Sequence, residues 1–106
     1  MTPPSPSINH SESDMNEKHI EQALKHAVDE LGGLCWKLVS PGTVGVPDRI
    51  CIYHGRIVFV ELKAPGRSPR PIQRRRIQQL RDHGMSVHVV DSRAGIEEVR
   101  DALSAA

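Results

Sequence analysis

Residues 46–63 read Val46-Pro47-Asp48-Arg49-Ile50-Cys51-Ile52-Tyr53-His54-Gly55-Arg56-Ile57-Val58-Phe59-Val60-Glu61-Leu62-Lys63. The runs 49–54 and 56–62 are rich in Ile, Val, Tyr and Phe, side chains that suit a pleated, half-buried surface. Only Gly55 stands strictly between them. The turn therefore borrows neighbours, His54 and Arg56, and the two runs form a tight β-hairpin. Closing it brings its ends together. Asp48 precedes the first strand and Glu61 lies near the end of the second, each six or seven residues from the turn. Side chains two apart on a strand share a face, so Glu61 and Lys63 project together. Two carboxylates and an ammonium thus converge at one end of a sheet.

Outward from the hairpin, both flanks read as α/β structure. Upstream, residues 40–47 (SPGTVGVP) form a turn-rich loop and residues 34–39 (LCWKLV) a strand. Residues 15–31 carry Ile20, Ala23, Leu24, Ala27, Val28 and Leu31 at helical spacing. Asp14 is the expected N-cap, with Glu17 as its capping-box partner, and Gly32-Gly33 ends the helix. Downstream, residues 64–71 are a loop with three prolines, and Pro71 suits the first turn of a helix over 71–83 that Gly84 ends. Ile72, Ile77 and Leu80 form its apolar stripe. Residues 86–91 read as a strand, and 94–104 as a helix with Ile96, Val99 and Leu103 inward. The order α-β-β-β-α-β-α predicts an α/β fold with a mixed sheet and a C-terminal helix.

Composition narrows the functional classes. The chain has 106 residues, enough for one modest domain. Its first 13 residues hold three Pro and four Ser with almost no apolar content, which predicts a disordered tail before a single domain over 14–106. No apolar run approaches the roughly 20 residues that span a bilayer, and no basic segment followed by an apolar one marks secretion. Cys35 and Cys51 sit in apolar runs and read as reduced, buried side chains. The net charge of +1 hides an asymmetry. Residues 62–81 carry seven basic side chains (Lys63, Arg67, Arg70, Arg74, Arg75, Arg76, Arg81) and no acid. Such a segment either solvates a helix face or grips a polyanion.

The acidic strand end suits phosphodiester hydrolysis. Hard oxygen ligands from Asp48 and Glu61, with the carbonyl of Leu62, fit Mg²⁺, which lowers the pKa of a bound water and polarises a phosphate. Lys63 is placed to orient that water or to stabilise developing charge. The competing reading is a structural Glu61–Lys63 ion pair at the end of the buried run Ile57-Val58-Phe59-Val60. The six histidines show no metal-ligand spacing with the cysteines. Trp36 reads as core or as a subunit contact.

The segment IEQALKHAVDELGGLCWKLVSPGTVGVPDRICIYHGRIVFVELKAPGRSP, with Pro71-Ile72-Gln73 after it, resembles the virus-type replication-repair nuclease domain of the PD-(D/E)xK nuclease superfamily. The resemblance covers roughly residues 17–92. A proline-aspartate and a Glu-x-Lys alone recur by chance. The preceding helix, the glycine pair, the Ser-Pro-Gly…Gly-Val-Pro loop and Gln73 make the match specific. The resemblance implies a restriction-endonuclease-like core. It puts the metal acids on Asp48 and Glu61, the lysine on Lys63 and a water- or lysine-holding glutamine on Gln73. A glutamate of the first helix completes such sites. Glu17 and Glu21 compete for that role, and the spacing of Glu21 to Gly32 favours Glu21, leaving Glu17 as a cap or salt-bridge partner.

The function expected is therefore a Mg²⁺- or Mn²⁺-dependent DNA endonuclease that selects DNA by shape. Four-way (Holliday) junctions are the expected substrate, cut by a homodimer in the cytoplasm of a bacterium or phage-infected host. Arg67, Arg70, Arg74, Arg75 and Arg76 would hold the DNA backbone near the cut. Ser40 and its loop would touch a phosphate, or would simply be a connection needing Gly42 and Gly45. A flap- or end-directed nuclease and a non-catalytic DNA-binding module are the alternatives.

Overall fold

A computed structural model describes residues 16–105. Its elements follow the order expected: α1 (Glu17–Leu31), β1 (Leu34–Lys37), β2 (Arg49–Tyr53), β3 (Arg56–Leu62), α2 (Pro71–Asp82), β4 (Ser86–Val90) and α3 (Arg93–Ser104). The strands form one mixed sheet in the order β1-β2-β3-β4. The β1–β2 and β2–β3 pairs are antiparallel, and β4 lies parallel to β3. A parallel neighbour needs a crossover, and α2 supplies it.

The pleat sorts the side chains into two faces. Cys35, Cys51, Val58, Val60, Leu62 and Val90 share one face and pack with Ile20, Leu24, Ala27 and Val28 of α1 and Ile96, Val99 and Leu103 of α3. This is the main core, and it takes the stripes that periodicity assigns to both helices. The two cysteines are unlinked and buried, with Cys51 Sγ donating to Cys35 Sγ at 3.7 Å across the strands. On the opposite face α2 packs beside β4, with Ile77 and Gln73 buried.

Local chemistry moves several boundaries. The N-cap of α1 is Asn16, whose side chain accepts from His19 N at 2.9 Å, so Glu17 is the first helical residue rather than a capping-box partner. The expected cap Asp14 and the tail before it lie outside the described residues. The hairpin turn is His54-Gly55 alone, since Tyr53 pairs with Arg56. Both turn residues have positive φ, 48° and 82°. That is the two-residue geometry whose twist matches a hairpin. β1 stops at Lys37, and the chain then runs through the loop 38–48 to β2.

Candidate active site

The site is assembled at the end of the hairpin farthest from its turn. Arg49 pairs with Val60, so the residues just beyond, Asp48 and Glu61, stand opposite one another. Asp48 Oδ2 accepts the backbone N–H of Leu62 at 2.8 Å, which fixes the carboxylate against β3. The Lys63 N–H donates to Val90 O at 3.0 Å, extending the β3–β4 ladder by one residue and holding Lys63 in line with Glu61. Lys63 Nζ lies 3.5 Å from Glu61 Oε2.

Glu61 is 1% exposed, and its second oxygen, Oε1, has no hydrogen-bond partner among the described residues. An unpartnered buried carboxylate oxygen is costly unless a cation or water takes it. Burial, followed by the charge of Asp48, pushes the Glu61 carboxyl up to about 7, and Lys63 opposes that shift. Both the structural ion pair and the convergent acids expected from the sequence are thus present. The pair uses one oxygen of Glu61 and leaves the other open.

The two helix acids have different surroundings. Glu21 is engaged elsewhere: Arg49 Nε donates to its Oε2 at 2.9 Å, in a largely buried ion pair. Glu17, one turn earlier, is the helix acid whose charge reaches Glu61 and raises it further. Counting back from Gly32 could not see this, because the partner of Glu21 comes from a different strand. No motif marks Arg49. The signal for it is subtler: a basic residue on the same strand face as the buried Cys51 requires an acid to meet it.

The remaining candidates divide. Gln73 is buried, and its Oε1 accepts the N–H of Arg70 at 2.8 Å, capping α2. Ser40 is half-buried at the start of the 40–47 loop, where its carbonyl accepts from Thr43 N. Arg67, Arg70, Arg74 and Arg75 are exposed along the loop and first turns of α2, with Arg74 Nη1 on Pro69 O. Arg76 is tied down: its Nε donates to Val44 O at 2.8 Å and its Nη1 to Gln79 Oε1. It braces the 40–47 loop on α2, and its guanidinium is less available to DNA than those of its neighbours. Gly45 lies in the same region, with φ of 90° and Ile72 about 3.0 Å from where a Cβ would stand. The carbonyl of Leu62 belongs to the same strand end as the acids.

Among the described residues no three His, Cys, Asp or Glu side chains are grouped closely enough to hold a metal ion together. An open pair of carboxylates with one free oxygen suits a hard cation that keeps its waters. No helix of the described residues is long and apolar enough to cross a membrane.

A mixed sheet whose hairpin end carries an aspartate, a glutamate and a lysine offers groups suited to phosphodiester hydrolysis, and comparisons with known proteins give the family. The model of the VRR-NUC domain matches residues 4–94, and the chain belongs to that nuclease family. It is 46% identical over 79 residues to a protein named "Putative nuclease p44" of Acyrthosiphon pisum secondary endosymbiont phage 1. That match covers 74% of this chain and 85% of the phage protein. A solved structure described as a VRR_NUC domain superposes with a TM-score of 0.74 at 33% identity, covering 80% of this chain and 94% of the other.

Proposed function

We propose that this nuclease is a Mg²⁺- or Mn²⁺-dependent DNA endonuclease that cuts branched DNA, four-way junctions first, and works as a two-fold dimer. The observation that carries the reading is the buried, unpartnered Oε1 of Glu61 beside Asp48. A carboxyl pushed up by burial and by a neighbouring acid needs positive charge beside it, and a divalent cation supplies more than Lys63 alone.

Asp48 and Glu61 would hold the ion, with the Leu62 carbonyl and Glu17 as further oxygen donors. Glu17 is preferred to Glu21 in this role because the Arg49 guanidinium, which holds Glu21 Oε2, already balances the charge of Glu21. A bound divalent ion supplies Lewis acidity for the phosphate and a lowered pKa for an attacking water. The chain's own residues do the rest. The Leu62 N–H locks one oxygen of Asp48 and so aims the other. Lys63 Nζ pairs with Glu61 Oε2 at 3.5 Å and has N–H donors for the attacking water or the phosphoryl oxygens. The amide nitrogen of Gln73, left over from capping, is available to hold that water. Arg67, Arg70, Arg74 and Arg75 lie on the segment that follows the site and would grip the phosphate backbone. Ser40 and the loop braced by Arg76 would border the strand near the cut.

Two considerations support branched DNA. A domain of this size has little surface with which to read a long base sequence. Paired cuts in a junction need two sites at fixed separation, and a two-fold dimer provides them. Trp36, Val39 and Val44 are 57%, 77% and 70% exposed beside the site loop, apolar surface suited to a second copy. Val46 differs from these three, being half-buried in an apolar groove of about 390 Å³ with Leu38, Phe59 and Leu80. The test is cleavage of labelled junction, flap, splayed and linear DNA with light scattering on the same sample. A monomer with no junction preference removes the resolving role and leaves a nuclease of flaps or ends.

A further inference from the structure

Arg49 takes no part in the chemistry just described, yet it is 8% exposed and joins its own strand to two other elements. It lies on β2. Its Nε reaches Glu21 on α1 at 2.9 Å, and its Nη1 reaches the carbonyl of Cys35 on β1 at 3.1 Å. Neighbouring residues on a strand point to opposite faces. Asp48 therefore faces Glu61 while Arg49, next along the chain, faces α1. Its register partner is Val60, the residue before Glu61. Arg49 is thus anchored beside both strand acids. Glu21 in turn shares a side of α1 with Glu17, one turn away.

We propose that Arg49 is a positioning residue: its ion pair with Glu21 latches the first turns of α1 onto β2, setting where Glu17 stands against Asp48 and Glu61. The proposal rests on the metal-site reading above. The guanidinium suits the task because it is planar and offers several donors in fixed directions. An ammonium cannot serve Glu21 and the Cys35 carbonyl with the same geometry. The latch also keeps Glu21 out of the acid cluster. With Arg49 gone, a fourth carboxylate on the same side of α1 would be released toward three others.

Binding of Mn²⁺ to the full chain, measured by calorimetry and by the spin-resonance signal of the free ion, tests this without relying on cleavage. Circular dichroism on the same samples reports the fold. Arg49→Ala and Glu21→Ala should each weaken Mn²⁺ binding roughly 10–100-fold, the range for partners that orient metal ligands. The double variant should be no weaker than either single one, because both remove the same ion pair. Glu21→Gln keeps an oxygen for the Arg49 N–H and should retain most of the affinity, and Arg49→Lys should fall between. If Glu21→Gln loses as much as Glu21→Ala, Glu21 is itself a ligand and the latch is wrong. Wild-type affinity in folded Arg49→Lys and Arg49→Ala also overturns it. Should Arg49→Ala not fold, the Glu21→Gln and Arg49→Lys results decide alone. A wild-type chain that binds Mn²⁺ with this pattern but cuts no DNA refutes the nuclease mechanism and spares the latch. A wild-type chain that binds no Mn²⁺ overturns both the metal site and the latch.

Discussion

Glu61 carries two opposed demands. Its side chain is 1% exposed, and burial together with Asp48 raises its pKa from 4.5 to about 7. An acid whose folded pKa is raised binds its proton more tightly in the native state. Its contribution to stability is full below about pH 4.5 and is lost as pH rises through about 7. The loss is on the order of 3 kcal/mol, at 1.36 kcal/mol per unit. The metal-free protein should therefore melt at lower temperature at pH 8 than at pH 5. Glu61→Gln should melt above wild type at pH 8 in EDTA, with the difference shrinking toward pH 4.5. Adding Mg²⁺ should raise the wild-type Tm at pH 8 and leave that of Glu61→Gln nearly unchanged. Calorimetric scans check both, and a Gln variant that melts below wild type at pH 8 would show that Glu61 is satisfied without a cation. Asp48→Asn and Lys63→Ala, like Glu61→Gln, should abolish cleavage in folded protein. Any of the three that cuts at the wild-type rate drops out of the mechanism.

At the scale of elements, substitutions in α2 can separate its observed cap from the roles proposed for it in cleavage and DNA binding. Gln73 caps the helix through its oxygen. Gln73→Ala should destabilise the protein by about 1 kcal/mol, as removal of a cap does. Gln73→Glu keeps the capping oxygen and removes the amide nitrogen. It should melt near wild type and cleave more slowly, and full activity would leave Gln73 with the cap alone. Arg74→Ala with Arg75→Ala should weaken binding to all duplexes alike. The slope of log K against log salt should fall by roughly 0.9 for each phosphate that is no longer neutralised, and an unchanged slope would mean that these side chains only solvate the helix. The elements themselves were legible because each carries its own period and stop: Ile20, Leu24, Ala27 and Val28 at helical spacing before Gly32, alternating apolar residues around Gly55, and Pro71 opening α2. Asp48, Glu61 and Lys63 were legible because a hairpin fixes which residues meet. The Arg49–Glu21 pair was not, since its partners are 28 residues apart and joined only by the packing of α1 on the sheet. The bracing role of Arg76 was hidden for the same reason: its acceptor is a loop carbonyl that no residue type announces.

The whole molecule presents one covered and one partly open sheet face. α1 and α3 bury the first, whereas Trp36, Leu34 and Ile57 on the second are 57%, 45% and 43% exposed. Burying such side chains against a second copy is favourable at about 25 cal/mol per Å². If the protein is the dimer proposed, Trp36→Glu with Val44→Glu should shift it toward monomer in light scattering at micromolar concentration while leaving its dichroism unchanged. Loss of paired cuts in a junction, with nicking retained, should accompany that shift. An unchanged dimer would place the interface elsewhere. All of this depends on the acids and Lys63 being a metal-dependent hydrolytic site. Its most direct test is hydrolysis of end-labelled four-way and linear DNA by the purified chain in Mg²⁺, Mn²⁺ or EDTA, with Glu61→Gln alongside. The account predicts cleavage in either ion, none in EDTA and none with Glu61→Gln. Cleavage that persists in EDTA, or a wild-type protein that leaves every substrate intact in both ions, would contradict it.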